Sequence, residues 1–406
     1  MKVSAYPHLE HAIRRRTFVK QMALGGGAAL LGANGLMGQS AREPSPSRPD
    51  YTGPNVIVVR FGGGVRRRET IEPAHTYSPF VCHELIKRGT LFPRMEIDSF
   101  EGIETSHGQG TLYLLTGKYD KYKDIGDKFL GERFESKVPT VFEYLRSQFN
   151  IPEHQTLIVN CEDRKDEEFY AFSNHDLYGV RFRSNVLSLY RFKTYLLRRQ
   201  VQSGTFSGKE LEEKKKELAK MEAIDYRTGG KDEQGKELTA FWDRWRAFYG
   251  DSGFVNPRGD RLLTELTLRG LRELRPKLVM VNYNDPDYVH WGNKHHYTQG
   301  ISVIDQGIRQ LWDFVQSDEA YRDNTVFVLV PDCGRDSNPF AKVPFQHHFN
   351  SRSAHEIFAL FLGPGIPAGQ VIDRKVDQIS VAKTVGSLMG FEASFAEGPA
   401  LEEVWA

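Results

Sequence analysis

Residues 325–337 read Thr-Val-Phe-Val-Leu-Val-Pro-Asp-Cys-Gly-Arg-Asp-Ser. A short uninterrupted apolar run, rich in β-branched and aromatic residues and ended by a polar loop, is the pattern of a strand buried on both faces. The pattern recurs along the chain. Residues 277–283 (KLVMVNY) lead into Asp285 and Asp287, and residues 55–60 (NVIVVR) stop at Gly62-Gly63-Gly64. Residues 357–362 (IFALFL) run into Gly363-Pro364-Gly365, and residues 155–159 (QTLIV) form a further candidate strand. Between two of these strands, Ile301, Ile304, Ile308, Leu311 and Val315 recur at helical spacing, which predicts an amphipathic helix. A short helix is expected at 141–149. Alternation of strand and helix predicts an α/β fold with a mainly parallel sheet and helices on both faces. Ligands in such sheets sit beyond the carboxyl ends of the strands.

Polar residues of metal-binding type gather at those ends. Asp285, Asp287, His290, His295 and His296 follow one strand, and Asp332, Arg335 and Asp336 follow the next. His347, His348 and His355 come shortly after, so six of the thirteen histidines fall between 290 and 355. Carboxylate with imidazole suits zinc, manganese or iron(II). The competing reading is that these are capping and surface groups; three clusters at strand ends favour a metal or anion site.

The N-terminus reads differently. Arg14-Arg15-Arg16-Thr17-Phe18-Val19-Lys20 precedes a Gly- and Ala-rich apolar stretch from Met22 to Met37, the layout of a signal peptide. Arg15 to Lys20 looks like a twin-arginine signal, which is a receptor-read address and not an anchor. Residues 1–41 are therefore expected to be a signal peptide and 42–54 a Pro- and Ser-rich linker. The mature chain is expected in the periplasm or outside the cell, exported folded by the twin-arginine machinery. No later stretch approaches the apolar length of a membrane span. The net charge of +1 over 406 residues gives no global field toward nucleic acid. Cys82, Cys161 and Cys333 match no zinc knuckle or redox pair, so stability must come from a hydrophobic core. Residues 165–260, aromatic and basic, are expected to form a largely helical insert between two parts of the core, 55–164 and 261–406. Within it, 208–223 reads as a solvated charged helix. Tyr170, Phe172, Tyr190 and Trp242 would pack in a core or line a cleft.

The order of the motifs resembles the alkaline phosphatase superfamily, which includes sulfatases, phosphonoacetate hydrolases and nucleotide phosphodiesterases. The resemblance spans roughly residues 55–145 and 275–400 and implies that family's three-layer sandwich. Thr116-Gly117 is similar to the end of the family's nucleophile helix. Asp287 and His290 resemble its Asp-then-His loop, and Pro331-Asp332-Cys333-Gly334 its S-D-H-G motif. His347 or His348 matches its last metal histidine. Gly363-Pro364-Gly365-Ile366 and residues 377–390 resemble its closing strand end and helix.

The departures are as specific. Gly62 or Gly63 stands where the family has its first Asp, and Cys333 where it has the His of D-H-G. His107, nine residues before Thr116, takes the nucleophile position, with Thr105, Ser106 and Thr111 out of register. The step from Asp287 to His290 is three where four is usual, and Trp291 fills the usual slot. By resemblance, the metal site that touches the nucleophile keeps Asp332, while Asp287, His290 and His347 or His348 form a second site with an open position. The expectation is one divalent ion, not two: zinc first, with manganese or iron as alternatives, and with a Cys333 thiolate as a further ligand. Arg66 and Arg335 would hold a small anionic ester bidentately, the Gly62–Gly64 backbone would add N–H donors, and His107 would serve as nucleophile or general base. The functions this implies are a phosphate or sulfate ester hydrolase with a reduced metal site, or a pseudoenzyme of the same fold that binds an anion, a metal or an envelope partner without turnover. An unrelated redox or structural protein would need a disulfide or cofactor motif, which the sequence lacks.

Overall fold

The strands of the computed structural model are β1 (Asn55–Arg60), β2 (Gly89–Glu96), β3 (Lys123–Asp124), β4 (Phe134–Glu135), β5 (Thr156–Asn160), β6 (Asn185–Leu187), β7 (Leu278–Asn282), β8 (Thr325–Val330), β9 (Glu356–Leu362), β10 (Gln370–Val371) and β11 (Val376–Asp377). The residues described are 48–99, 103–121, 123–124, 134–160, 173, 175–222, 235–251, 259–290, 292–338, 340, 342–347 and 351–405. Residues 48–406 fall in one unit by their internal contacts. The signal reading of 1–41, Cys161, Tyr170, Phe172, Trp291 and His348 lie outside the described residues.

Nine strands form one sheet in the order β10-β2-β9-β8-β1-β7-β5-β6, with β11 also pairing β2; β3 and β4 make a separate two-stranded ribbon. From β8 to β6 every pairing is parallel, and β9 turns antiparallel against both β8 and β2. β1 sits at the centre: Val58 lies opposite Met280 on one side and Val328 on the other. Every residue of β1, β7 and β8 is buried, which is why these segments read as apolar runs without alternation.

Side chains alternate across a strand, and here the two faces feed two separate cores. Ile57, Val59, Val279, Val281, Phe327 and Leu329 face one core, under helices Asp260–Leu274 and Lys294–Ser317. Val56, Val58, Met280, Val326, Val328 and Val330 face the other, under helices His107–Thr116, Val141–Gln148 and Ser380–Met389. The isoleucine stripe of Lys294–Ser317 is fully covered: Ile301, Ile304, Ile308, Leu311 and Val315 are all 0% exposed. This is the three-layer α/β arrangement with helices on both faces of a mainly parallel sheet.

Within 165–260, the segment read as an insert, β6 pairs parallel with β5 and extends the main sheet. Helices Leu189–Gln202 and Lys236–Tyr249 bury Phe192, Trp242 and Trp245 in the first core. Tyr190 is buried as well, so it and Trp242 pack in the interior. Helix Gly208–Glu222 buries no residue, as its charge pattern predicts. Because β8, β1, β7 and β5 run parallel, their carboxyl ends share one edge, and Arg60 lies level with both Asn282 and Val330. Asp287 and Asp332 follow just beyond that edge.

Candidate metal centre

Two groups of metal-ligating side chains meet at this edge. Among the described residues, donor atoms of His107, Asp287, His290 and His347 lie within 4.8 Å of one another, as do those of His107, Asp332 and Cys333. His107 belongs to both. It is the first residue of helix His107–Thr116, whose N-terminus is capped by Ser106 through a 3.2 Å bond from the Gln109 amide. The helix comes this close because of Gly110, where a Cβ would stand 2.0 Å from the Asp332 carbonyl oxygen.

Asp287 occupies the 3-10 turn Asp285–Val289 after β7. Its Oδ1 is the focus of the first group: 2.7 Å from His107 Nε2, 2.7 Å from His290 Nε2, 3.0 Å from Arg335 Nη2 and 3.4 Å from His347 Nε2. The side chains of Asp287 and His290 are 24% and 23% exposed, whereas His347 is 1% exposed. The His347 ring is oriented by the Thr105 carbonyl, 2.9 Å from Nδ1. A carbonyl only accepts, so Nδ1 carries the proton, and in the neutral ring the Nε2 lone pair is directed to the group.

Asp332 is buried and saturated. Its oxygens accept from Arg60 Nη1 at 3.0 Å, His107 Nδ1 at 2.8 Å, the Cys333 amide at 2.8 Å and the Gly64 amide at 3.2 Å. Arg60, the last residue of β1, is fully buried and also donates to Thr111 Oγ1 and the Tyr283 carbonyl, each at 3.0 Å. The Cys333 sulfur lies 3.8 Å from His107 Nδ1. Burial, reinforced by the Asp332 charge, pushes the thiol up to about 11, so it is neutral near pH 7. Burial alone would lower the His107 pKa, but the Asp287 and Asp332 carboxylates outweigh it and hold the ring well above its ordinary range. Burial opposes ionisation of Asp287 and Asp332, yet the His107 charge overrides it and holds both carboxyls below theirs.

The remaining residues singled out from the sequence are placed as follows. Arg335 is buried, and its guanidinium donates to the Gly64 carbonyl at 2.8 Å, the Phe345 carbonyl at 2.9 Å, the Gly63 carbonyl and Asp287. Arg66 lies outside both groups and forms a two-pronged pair with Glu69. His355 bonds the Ile97 carbonyl, and His295 and His296 are exposed at a helix start. Arg60 is the residue that sequence reasoning passed over. The signal was a single guanidinium closing an otherwise apolar strand.

No family model matches the chain, and no curated protein matches its sequence. Solved structures do match. A protein of the alkaline phosphatase superfamily from Vibrio parahaemolyticus is 15% identical with a TM-score of 0.53, over 89% of this chain and 73% of that one. The alkaline phosphatase PafA is 12% identical with a TM-score of 0.54, over 87% of this chain and 99% of its own. The chain has the alkaline phosphatase-like fold. The lipoteichoic acid synthase LtaP from Listeria monocytogenes shares that fold at 10% identity and a TM-score of 0.51, over 87% of this chain and 76% of its own. At such identities the likeness establishes architecture, and chemistry has to be argued from the side chains.

A divalent ion implied by this fold can be tested against the residues present. The first group fits: it offers three imidazoles and a carboxylate from three separate segments, and the His347 tautomer is set for a lone pair at Nε2. The second does not fit, because the Asp332 oxygens are already taken by four donors, one of them the fully buried Arg60 guanidinium that an ion would have to displace.

Proposed function

We propose that the protein is a single-metal hydrolase of phosphate or sulfate esters, with Asp287, His290 and His347 holding the ion. The observation that carries this reading is the convergence of those donor atoms at a partly exposed point beyond the carboxyl ends of β7 and β8. A divalent ion there would act as a Lewis acid on an ester oxygen. Asp287 keeps its charge at neutral pH and anchors the group, while Arg335 fixes the Asp287 oxygen from behind through a guanidinium tied to the Gly63–Gly64 backbone. In this alkaline phosphatase-like fold, the buried Arg335 meets a substrate anion only by giving up existing partners, and Arg66 already commits Nε and Nη2 to Glu69. A nucleophilic His107 would likewise have to release one of its two carboxylates, since both ring nitrogens are engaged.

That last point favours a second reading, a protein that binds a metal or an anion without turnover. The hydroxyl groups near the expected nucleophile position are also occupied: Thr105 bonds the His347 carbonyl and Thr111 the His107 carbonyl.

One experiment separates the two. The folded chain, purified without chelator or nickel, is assayed by mass spectrometry for metal and then with aryl phosphate and aryl sulfate esters. About one equivalent of zinc, manganese or iron, with turnover that disappears in Asp287→Asn, supports the hydrolase. Bound metal with no turnover supports the binding protein, and no metal after reconstitution excludes the single-metal reading. The same proposal sets the mature chain in the periplasm or outside the cell, exported by the twin-arginine machinery on the strength of Arg15 and Arg16. Among the described residues no helix is long and apolar enough to cross a membrane. Undiminished export of an Arg15→Lys, Arg16→Lys chain would refute that route.

A further inference from the structure

We infer that Arg60 is a built-in cation standing where a second metal ion would otherwise sit, and that His107 is a ligand to the single ion, oriented by Asp332. This rests on the metal reading of Asp287, His290 and His347. The two candidate groups share His107 but differ in access. One opens to solvent through Asp287 and His290; the other is sealed, with Arg60 and Asp332 both 0% exposed. A carboxylate offers about four lone-pair sites, and on Asp332 they meet Arg60, His107, Cys333 and Gly64. A guanidinium stays protonated in a protein. An ion entering this group would have to displace a permanent positive charge that also bonds Thr111 and the Tyr283 carbonyl.

The consequence falls on His107. Asp332, fixed by Arg60, is an acceptor at Nδ1, so Nδ1 keeps its proton. Nε2 then faces the open group, 2.7 Å from Asp287 Oδ1 and near His290 and His347. A histidine that donates one N–H to a carboxylate and presents the other nitrogen to the ion is the usual way a buried carboxylate orients a metal ligand. Asp332 becomes a positioning residue, Arg60 the charge that holds it, and His107 the fourth ligand in place of a nucleophile. An ester oxygen would then have to enter as a fifth ligand; without that expansion, the site is closed and binds metal without turnover.

The test uses the full folded chain, stripped with chelator and reloaded with zinc or cobalt(II). Zinc stoichiometry is measured by mass spectrometry, affinity by competition with a chromophoric chelator, and ligand geometry by the cobalt absorption spectrum. The wild type is expected to take one equivalent. His107→Ala is expected to weaken zinc at least tenfold and to change the cobalt spectrum, and Asp332→Asn to weaken it about 10- to 100-fold. Arg60→Asp, if folded by circular dichroism, is expected to admit a second equivalent. If it does not fold, the wild-type stoichiometry decides the role of Arg60. Two equivalents in the wild type, or only one in folded Arg60→Asp, would overturn that role. One equivalent with unchanged affinity and spectrum in His107→Ala would overturn the ligand assignment while leaving the three-residue site intact. No metal in the wild type would remove the underlying reading, and this inference with it.

Discussion

Arg60 and Asp332 form a buried ion pair whose cost was met when the strand end was covered, so its worth shows only when one partner is removed. Arg60→Met would leave the buried Asp332 carboxylate without its guanidinium, held by His107 and the Cys333 and Gly64 amides, and deleting one partner of such a pair costs about 3–5 kcal/mol. Urea unfolding should show a loss of that order, partly recovered in the double variant Arg60→Met, Asp332→Asn. An unchanged midpoint in the single variant would contradict the pairing. His107 gives a pH signature in the metal-free protein. Burial works against its charge but Asp287 and Asp332 raise its pKa well above the ordinary value, which is about 6.5. A raised folded pKa adds stability that is complete below the unfolded value and is lost as pH climbs through the folded one. The urea midpoint of metal-free wild type should therefore decline from neutral pH into the alkaline range, and His107→Gln should flatten that decline. Parallel curves for the two proteins would mean that His107 is not charged between the carboxylates.

Helix His107–Thr116 acts as a positioning rod, and two residues set its place. Gly110 permits contact with the Asp332 backbone; an added methyl would overlap the carbonyl oxygen at 2.0 Å. Overpacking of this kind costs about 1–3 kcal/mol, and the helix would have to move away from Asp332. Gly110→Ala should lower both the urea midpoint and zinc affinity, whereas a stability loss with full affinity would show that the rod does not aim His107. Ser106 caps the same helix through the Gln109 amide. Ser106→Ala should cost about 1 kcal/mol, read as a drop in melting temperature. The turn Asp285–Val289 plays the matching part after β7: it brings Asp287 and His290 back over the sheet edge, and the amide of Asp287 bonds the Asn284 carbonyl at 3.0 Å.

At the scale of the molecule, the sheet divides two hydrophobic cores and leaves one polar edge, where the strand ends of β1, β7 and β8 meet. Buried strands there are rigid, so the charged groups they carry are held before any ligand arrives. An ion bound only by the folded state stabilises it by mass action, about 2.7 kcal/mol at a hundredfold excess over the dissociation constant. The melting temperature of wild type should rise with added zinc and return on chelation, while Asp287→Asn should not respond. A zinc-independent melting temperature in the wild type would weigh against the centre as described.

Local chemistry determined the layers. The unbroken apolar runs at Val56–Val59 and Thr325–Val330 and the helical stripe from Ile301 to Val315 are periodic signals that a short window of residues carries by itself. The positions of Asp287 and Asp332 beyond strand ends were legible for the same reason. What the charges do there was not, because it depends on partners far away in the chain. Arg60 meets Asp332 across 272 residues, and His107 reaches Asp287 and Asp332 across 180 and 225. In sequence Arg66 and Arg335 look equally available to an anion. Only the tertiary structure ties Arg66 to Glu69 and Arg335 to three carbonyls and Asp287. Periodicity within a segment decides which residues are buried, but the electrostatics of a buried site are decided by which segments the sheet brings together.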